Sequence, residues 1–159
     1  MVTFSLGPAL LAGFVGTIAM TVVMMAGRSM RMTTLDMPLL IGGMVTNDDE
    51  RARTIGNVVH LMMGTVVFGI AYALLFTALD SASGFAGALL GLAHGAGLGL
   101  VAMPMMGLVH PRMRVTAGAP RLEPPGVMGV AYGRGTPAGL LMTHLVYGLV
   151  VALVYTAAT

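Results

Sequence analysis

The sequence predicts an all-α integral membrane protein, a single domain built as an antiparallel four-helix bundle. Three observations carry that expectation. The chain is 57% hydrophobic and only 9% charged, with a mean hydropathy of +0.90. A soluble domain carries about 25% charged residues and needs them to cover a water-facing surface. Four stretches reach the roughly 20 apolar residues that a spanning helix needs. They run from about 6–27, 54–79, 84–109 and 136–158, and none contains Asp, Glu, Lys or Arg. All eight basic residues are arginines, and all fall in two of the connections, 28–53 and 110–135.

The first span ends just before Arg28. No positive segment precedes it, which is the reverse of a signal peptide's order, so it reads as a retained helix. The first loop holds Arg28, Arg31, Arg51 and Arg53 together with an apolar patch, Met37 to Val45, that is too short to cross a bilayer. Such a patch suits an interfacial or re-entrant segment. Asn47 and Glu50 have capping-box spacing, with Asp48 and Asp49 in the first turn, so the second helix is expected to begin near Asp48, ahead of its apolar stretch. The short turn Asp80-Ser81-Ala82-Ser83 forces spans two and three into an antiparallel pair. Pro104 removes a backbone donor and is expected to bend the third helix. The third loop holds Arg112, Arg114, Arg121 and Arg134. Its Pro111, Pro120, Pro124 and Pro125, with Gly118, Gly126, Gly129 and Gly133, read as irregular, mobile chain. Thr136 and Pro137 read as N-cap and first residue of the fourth helix. With eight arginines in loops one and three and none elsewhere, the positive-inside rule puts those loops in the cytoplasm and both termini outside. The expected setting is a prokaryotic cytoplasmic membrane. The arginines read as anchors on the cytosolic side of the lipid bilayer; nucleic acid is not an expected partner.

Helices in lipid associate through close backbone approach at small residues. Gly87, Gly91, Gly95 and Gly99 recur every four residues and form a smooth ridge along span three. The ridge either packs the protein's own bundle or docks another subunit, giving self-association or a place in a larger membrane complex. A short repeat also stands out. His60-Leu61-x-x-Gly64-x-Val66 recurs as His144-Leu145-x-x-Gly148-x-Val150, which suggests two related helix hairpins.

The candidate chemistry lies in histidine and methionine. His60, His94, His110 and His144 all sit within or at the edge of spans, where a polar side chain needs a partner. Counted from the cytoplasmic ends, His60 and His144 lie at matched depth, with His94 nearer mid-bilayer. The chain holds 16 methionines and no cysteine. Met20 and Met24 share one face of span one, Met63 lies one turn from His60, and Met103, Met106 and His110 share a face of span three. Imidazole with thioether suits Cu(I), and His60 with His144 suits the axial ligands of haem b. The plainer reading makes the histidines interhelical glue and the methionines flexible apolar filler. No nucleophile motif, phosphate loop or zinc-protease motif is present, and no span carries the charged group usual in ion-coupled transport.

The runs Gly13-Phe14-Val15-Gly16-Thr17-Ile18-Ala19-Met20-Thr21, Met37-Pro38, Val59-His60 with Gly64, Gly69 and Tyr72, Gly91-Leu92-Ala93-His94-Gly95, and His144-Leu145-x-Tyr147-Gly148 resemble a family of small four-span prokaryotic membrane proteins. The resemblance covers most of the chain except the third loop. It implies the four-helix fold and brings no activity, cofactor or catalytic residue. The leading expectation is a non-catalytic accessory or self-associating component of a membrane complex. A haem b or Cu(I) redox protein and a carrier or channel for a small solute are the rivals.

Overall fold

A computed structural model describes residues 1–114 and 122–159. Gly118, Pro120 and Arg121 lie outside the described residues. Every regular element among the described residues is helical. The elements in order are α1 (Leu6–Ser29), α2 (Met37–Gly42), α3 (Asp49–Met62), α4 (Gly69–Ala78), α5 (Gly84–Gly97), α6 (Met103–Val109) and α7 (Thr136–Ala158), with a 3₁₀ segment at Val127–Tyr132. A π-helical turn, Met63–Phe68, joins α3 to α4, and another, Leu98–Ala102, joins α5 to α6. The chain therefore has four continuous helices long and apolar enough to cross a membrane: Leu6–Ser29, Asp49–Ala78, Gly84–Val109 and Thr136–Ala158.

Local chemistry explains the ends. At the close of α1, Arg31 takes a positive φ of 57° and the Met32 N–H reaches back to the Gly27 carbonyl. At the close of α4, Asp80 has φ 48° and the Ser81 N–H reaches the Phe76 carbonyl. Both are Schellman stops, built here without glycine. The second helix starts where expected, but its cap is Asp48 and not Asn47: Asp48 Oδ1 accepts the Arg51 N–H at 2.8 Å. Thr136 is already inside α7, and its hydroxyl meets Thr33 Oγ1 at 2.7 Å in place of capping its own helix. At Pro104 the structure shows a change of helix type. The missing N–H of Pro104 is absorbed by the π turn just before it, where the Met103 N–H bonds the Leu98 carbonyl five residues back.

The chain forms two compact units. The first comprises Met1–Ala26, Leu61–Gly95 and Leu141–Thr159, a bundle of segments from all four long helices. Its buried centre joins Ala9, Ala12 and Met20 of α1, Tyr72, Ala73 and Phe76 of α4, and Tyr147, Val151, Ala152 and Tyr155 of α7. Small residues set its spacing. A Cβ on Gly13 would stand 2.6 Å from the Thr65 carbonyl oxygen, and one on Gly64 would overlap the Thr17 hydroxyl. Gly87 lies against the Gly148 carbonyl, and Gly91 against that of His144. The glycine of each repeat thus receives the preceding helix of its hairpin: Gly64 meets Thr17 of α1, and Gly148 meets Gly87 of α5. That pairing matches two related hairpins.

The second unit comprises Gly27–His60 and Ala96–Leu140. Its apolar cluster is Leu35, Leu40, Met103, Met113 and Leu140. The described part of the third loop is not loose. Arg112, Met113, Pro125 and Gly129 are buried. The Thr34 N–H bonds the Tyr132 carbonyl at 2.8 Å, and the Tyr132 hydroxyl donates to the Glu123 carbonyl at 2.6 Å. Proline and glycine content marked irregular backbone correctly but hid how well that backbone is packed. The apolar patch of the first loop is the short helix α2, capped by Asp36, whose Oδ1 accepts the Leu39 N–H at 3.1 Å.

Candidate functional site

The register of the first unit follows from its close contacts. Tyr155 accepts the Ser5 N–H through its hydroxyl, and Gly16 faces Tyr147 and Val151, so α1 and α7 run antiparallel with Met20 level with residues 143–147. Gly84 faces Leu149 and Leu153, Gly87 faces Gly148, and Gly91 faces His144, so α5 also runs antiparallel to α7. The next turn of α5 carries His94 to His144. Their ring centroids are 4.8 Å apart at 74°, an edge-to-face contact.

Around this pair lies an aromatic and hydroxyl cluster. Phe68 stacks on His94 with centroids 4.2 Å apart. The Tyr72 hydroxyl is 3.3 Å from His94 Nδ1, and the Thr143 hydroxyl is 3.3 Å from His144 Nδ1. Tyr147 packs edge-on against Tyr72 at 5.2 Å and donates its hydroxyl to the Gly64 carbonyl at 2.7 Å. That carbonyl belongs to the π turn, where it also accepts the Gly69 N–H five residues on. Two buried polar atoms of this unit have no hydrogen-bond partner: Thr65 Oγ1 and His94 Nε2. An unpaired buried donor or acceptor costs about 1–3 kcal/mol, so it marks either a tolerated defect or a place for something bound. Residues 5–159 match a family of unknown function (DUF6789). The chain belongs to that family. No curated protein and no solved structure matches it.

The remaining candidate residues disperse. His60 belongs to the second unit and is partly exposed. The ring in direct contact with His144 is that of His94. Depth counted from helix ends places His94 nearer mid-bilayer than His144. That count assumes level ends, whereas the close approach of Gly91 to the His144 carbonyl sets the actual register.

His110 is fully buried in the second unit, and both ring nitrogens are used. Nε2–H donates to the Leu40 carbonyl at 2.9 Å, and Nδ1 accepts the Arg112 N–H at 3.2 Å. Burial, together with the positive charge of Arg112, lowers its pKa against the opposing pull of the Leu40 bond, so the ring stays neutral. His110 is a strap between the end of α6 and α2. Met103 is buried in the apolar cluster of the second unit with Met106 packed against it, while Met63 is 40% exposed and Met24 half-buried. Of the glycine ridge, Gly87, Gly91 and Gly95 are buried in α5, and Gly99 makes room for Met128 and Leu140 in the second unit.

Arg112, expected only as one of the loop arginines, is buried, and its guanidinium bonds Asp49 Oδ1 at 2.6 Å. Sequence reading gave no role to Tyr147, although Tyr147 lies one turn from His144 on the same helix face. Among the described residues no three His, Asp or Glu side chains come together as a metal cage. What the His94–His144 cluster offers is two imidazoles, three hydroxyls and one thioether at the same level in an apolar bundle.

Proposed function

We propose that this protein is a non-catalytic component of a prokaryotic cytoplasmic membrane, with its arginine loops inside and both termini outside, and that it acts as an accessory subunit or self-associating bundle. The observation that carries the reading is the use of its interior polar groups. Tyr72, Tyr147, Tyr155, Thr17 and His94 bond another helix, the segment leading into α1 or their own helix backbone, and no carboxylate, lysine or arginine lies among them. Hydrogen bonds of this kind hold helices together in lipid. The glycine ridge supports a self-contained bundle: its contacts at Gly87 and Gly91 are made with the chain's own α7. Association with other chains then falls to the outer apolar faces, where Phe14, Ile18, Val22 and Met25 of α1 are exposed.

Native mass spectrometry of the protein extracted in mild detergent from its own membrane tests this. The expected result is a complex heavier than one chain, with the first unit intact. A lone monomer that turns over a substrate would sink the proposal.

A further inference from the structure

We propose that His94, His144 and Met20 form a Cu(I) site inside the first unit. The juxtaposition comes from three helices. His94 of α5 and His144 of α7 are in ring contact at 4.8 Å. Met20 of α1 is buried, 6% exposed, in the same cluster as Tyr72 and Tyr147, and the α1–α7 register brings it level with His144. Metal-binding imidazoles are commonly oriented by a hydrogen bond at the nitrogen that does not bind the metal. Both rings have a hydroxyl at Nδ1, from Tyr72 and from Thr143. The other nitrogen of His94, Nε2, is buried and without a partner.

The choice of ion follows from charge and softness. The ligands are neutral, and the four long apolar segments carry no carboxylate to balance a cation. The cost of moving an ion out of water grows with the square of its charge, so a divalent ion is penalised about four times as heavily as a monovalent one. A thioether beside two imidazoles favours Cu(I) over Zn(II).

The test uses the full chain, purified in detergent under anaerobic conditions and titrated with Cu(I) against bicinchoninate. One Cu(I) per chain is expected, with X-ray absorption showing two nitrogen neighbours and one sulfur. Met20→Leu keeps the side-chain volume and removes the thioether, and it is expected to weaken binding about tenfold or more. Tyr72→Phe, which frees His94 Nδ1, is expected to weaken it about tenfold. Met142→Leu, an exposed methionine on α7, serves as the control and leaves affinity unchanged. Circular dichroism and gel filtration of each variant separate a lost ligand from a lost fold. Failure of the folded wild type to take Cu(I) from bicinchoninate would overturn the proposal. So would affinity and sulfur scattering unchanged in folded Met20→Leu.

Discussion

Asp36 shows how much one side chain can organise in so sparsely charged a chain. Its Oδ1 caps α2, while Oδ2 meets Arg53 Nε at 3.0 Å and Arg28 at 3.2 Å. Burial opposes its charge, but the hydrogen bonds from Arg53 and Leu39 and the charges of Arg28 and Arg53 outweigh it, and the carboxyl titrates below its usual range. A depressed folded-state pKa means that the unfolded chain binds this proton more readily. The resulting stability is present above the ordinary carboxylate pKa of about 3.9 and is lost as pH falls through the lower folded value. Melting of the detergent-solubilised protein is therefore expected to weaken below about pH 4. Asp36→Asn, which can still cap α2, flattens that acid loss. An unchanged acid slope in the variant would assign the loss to other carboxylates. The acid was visible in the sequence, but its partners were not. Arg53 lies 17 residues away, and only the packing of the first loop brings it to Asp36.

Among elements, the tightest fit is between α2 and α3. A Cβ on Gly42 would overlap the Ala52 carbonyl, and one on Gly56 would overlap the Pro38 carbonyl. These obstacles are backbone, which cannot rotate aside, so Gly56→Ala must push the two helices apart. Overpacking of this kind costs about 1–3 kcal/mol. A lowered melting temperature, with faster hydrogen exchange confined to 37–56, is the expected result. Exchange unchanged there would show that α2 is not held by this contact. Gly7→Ala, with open space around its Cβ position, is the matched control. The ridge from Gly87 to Gly99 was legible because its four-residue period lies within one long helix. Gly42 and Gly56 escaped notice because they belong to different elements, one of which reads as loop. The π turn at Met63–Phe68 had no signal at all, since no proline follows it as Pro104 follows the other.

For the molecule as a whole, charge partition was the strongest signal in the sequence and remains the ground for its proposed orientation. All eight arginines lie in or beside two connections, 28–53 and 110–135, while the turn near Ser81 and the C-terminal end carry none. Side-chain pairing removes part of this contrast without reversing it. Asp36 engages Arg28 and Arg53, and Asp49 engages Arg112, but orientation depends on basic residues more than on net charge. The absence of cysteine makes the prediction simple to check with single thiols placed in the connections and at the C-terminal end. Ser81→Cys and Thr159→Cys are expected to react with an impermeant maleimide in intact cells. Val45→Cys and Val130→Cys, 71% and 55% exposed in the native chain, are expected to react only after the membrane is opened. The four sites test the number of crossings as well as the direction. An odd number of crossings between Val130 and the C-terminus requires their labels to differ, and an odd number between Val45 and Ser81 requires the same. If Val130 and Thr159 labelled together from one side, α7 would not span. If all four patterns inverted, the helices would stand and only the arginine argument would fall.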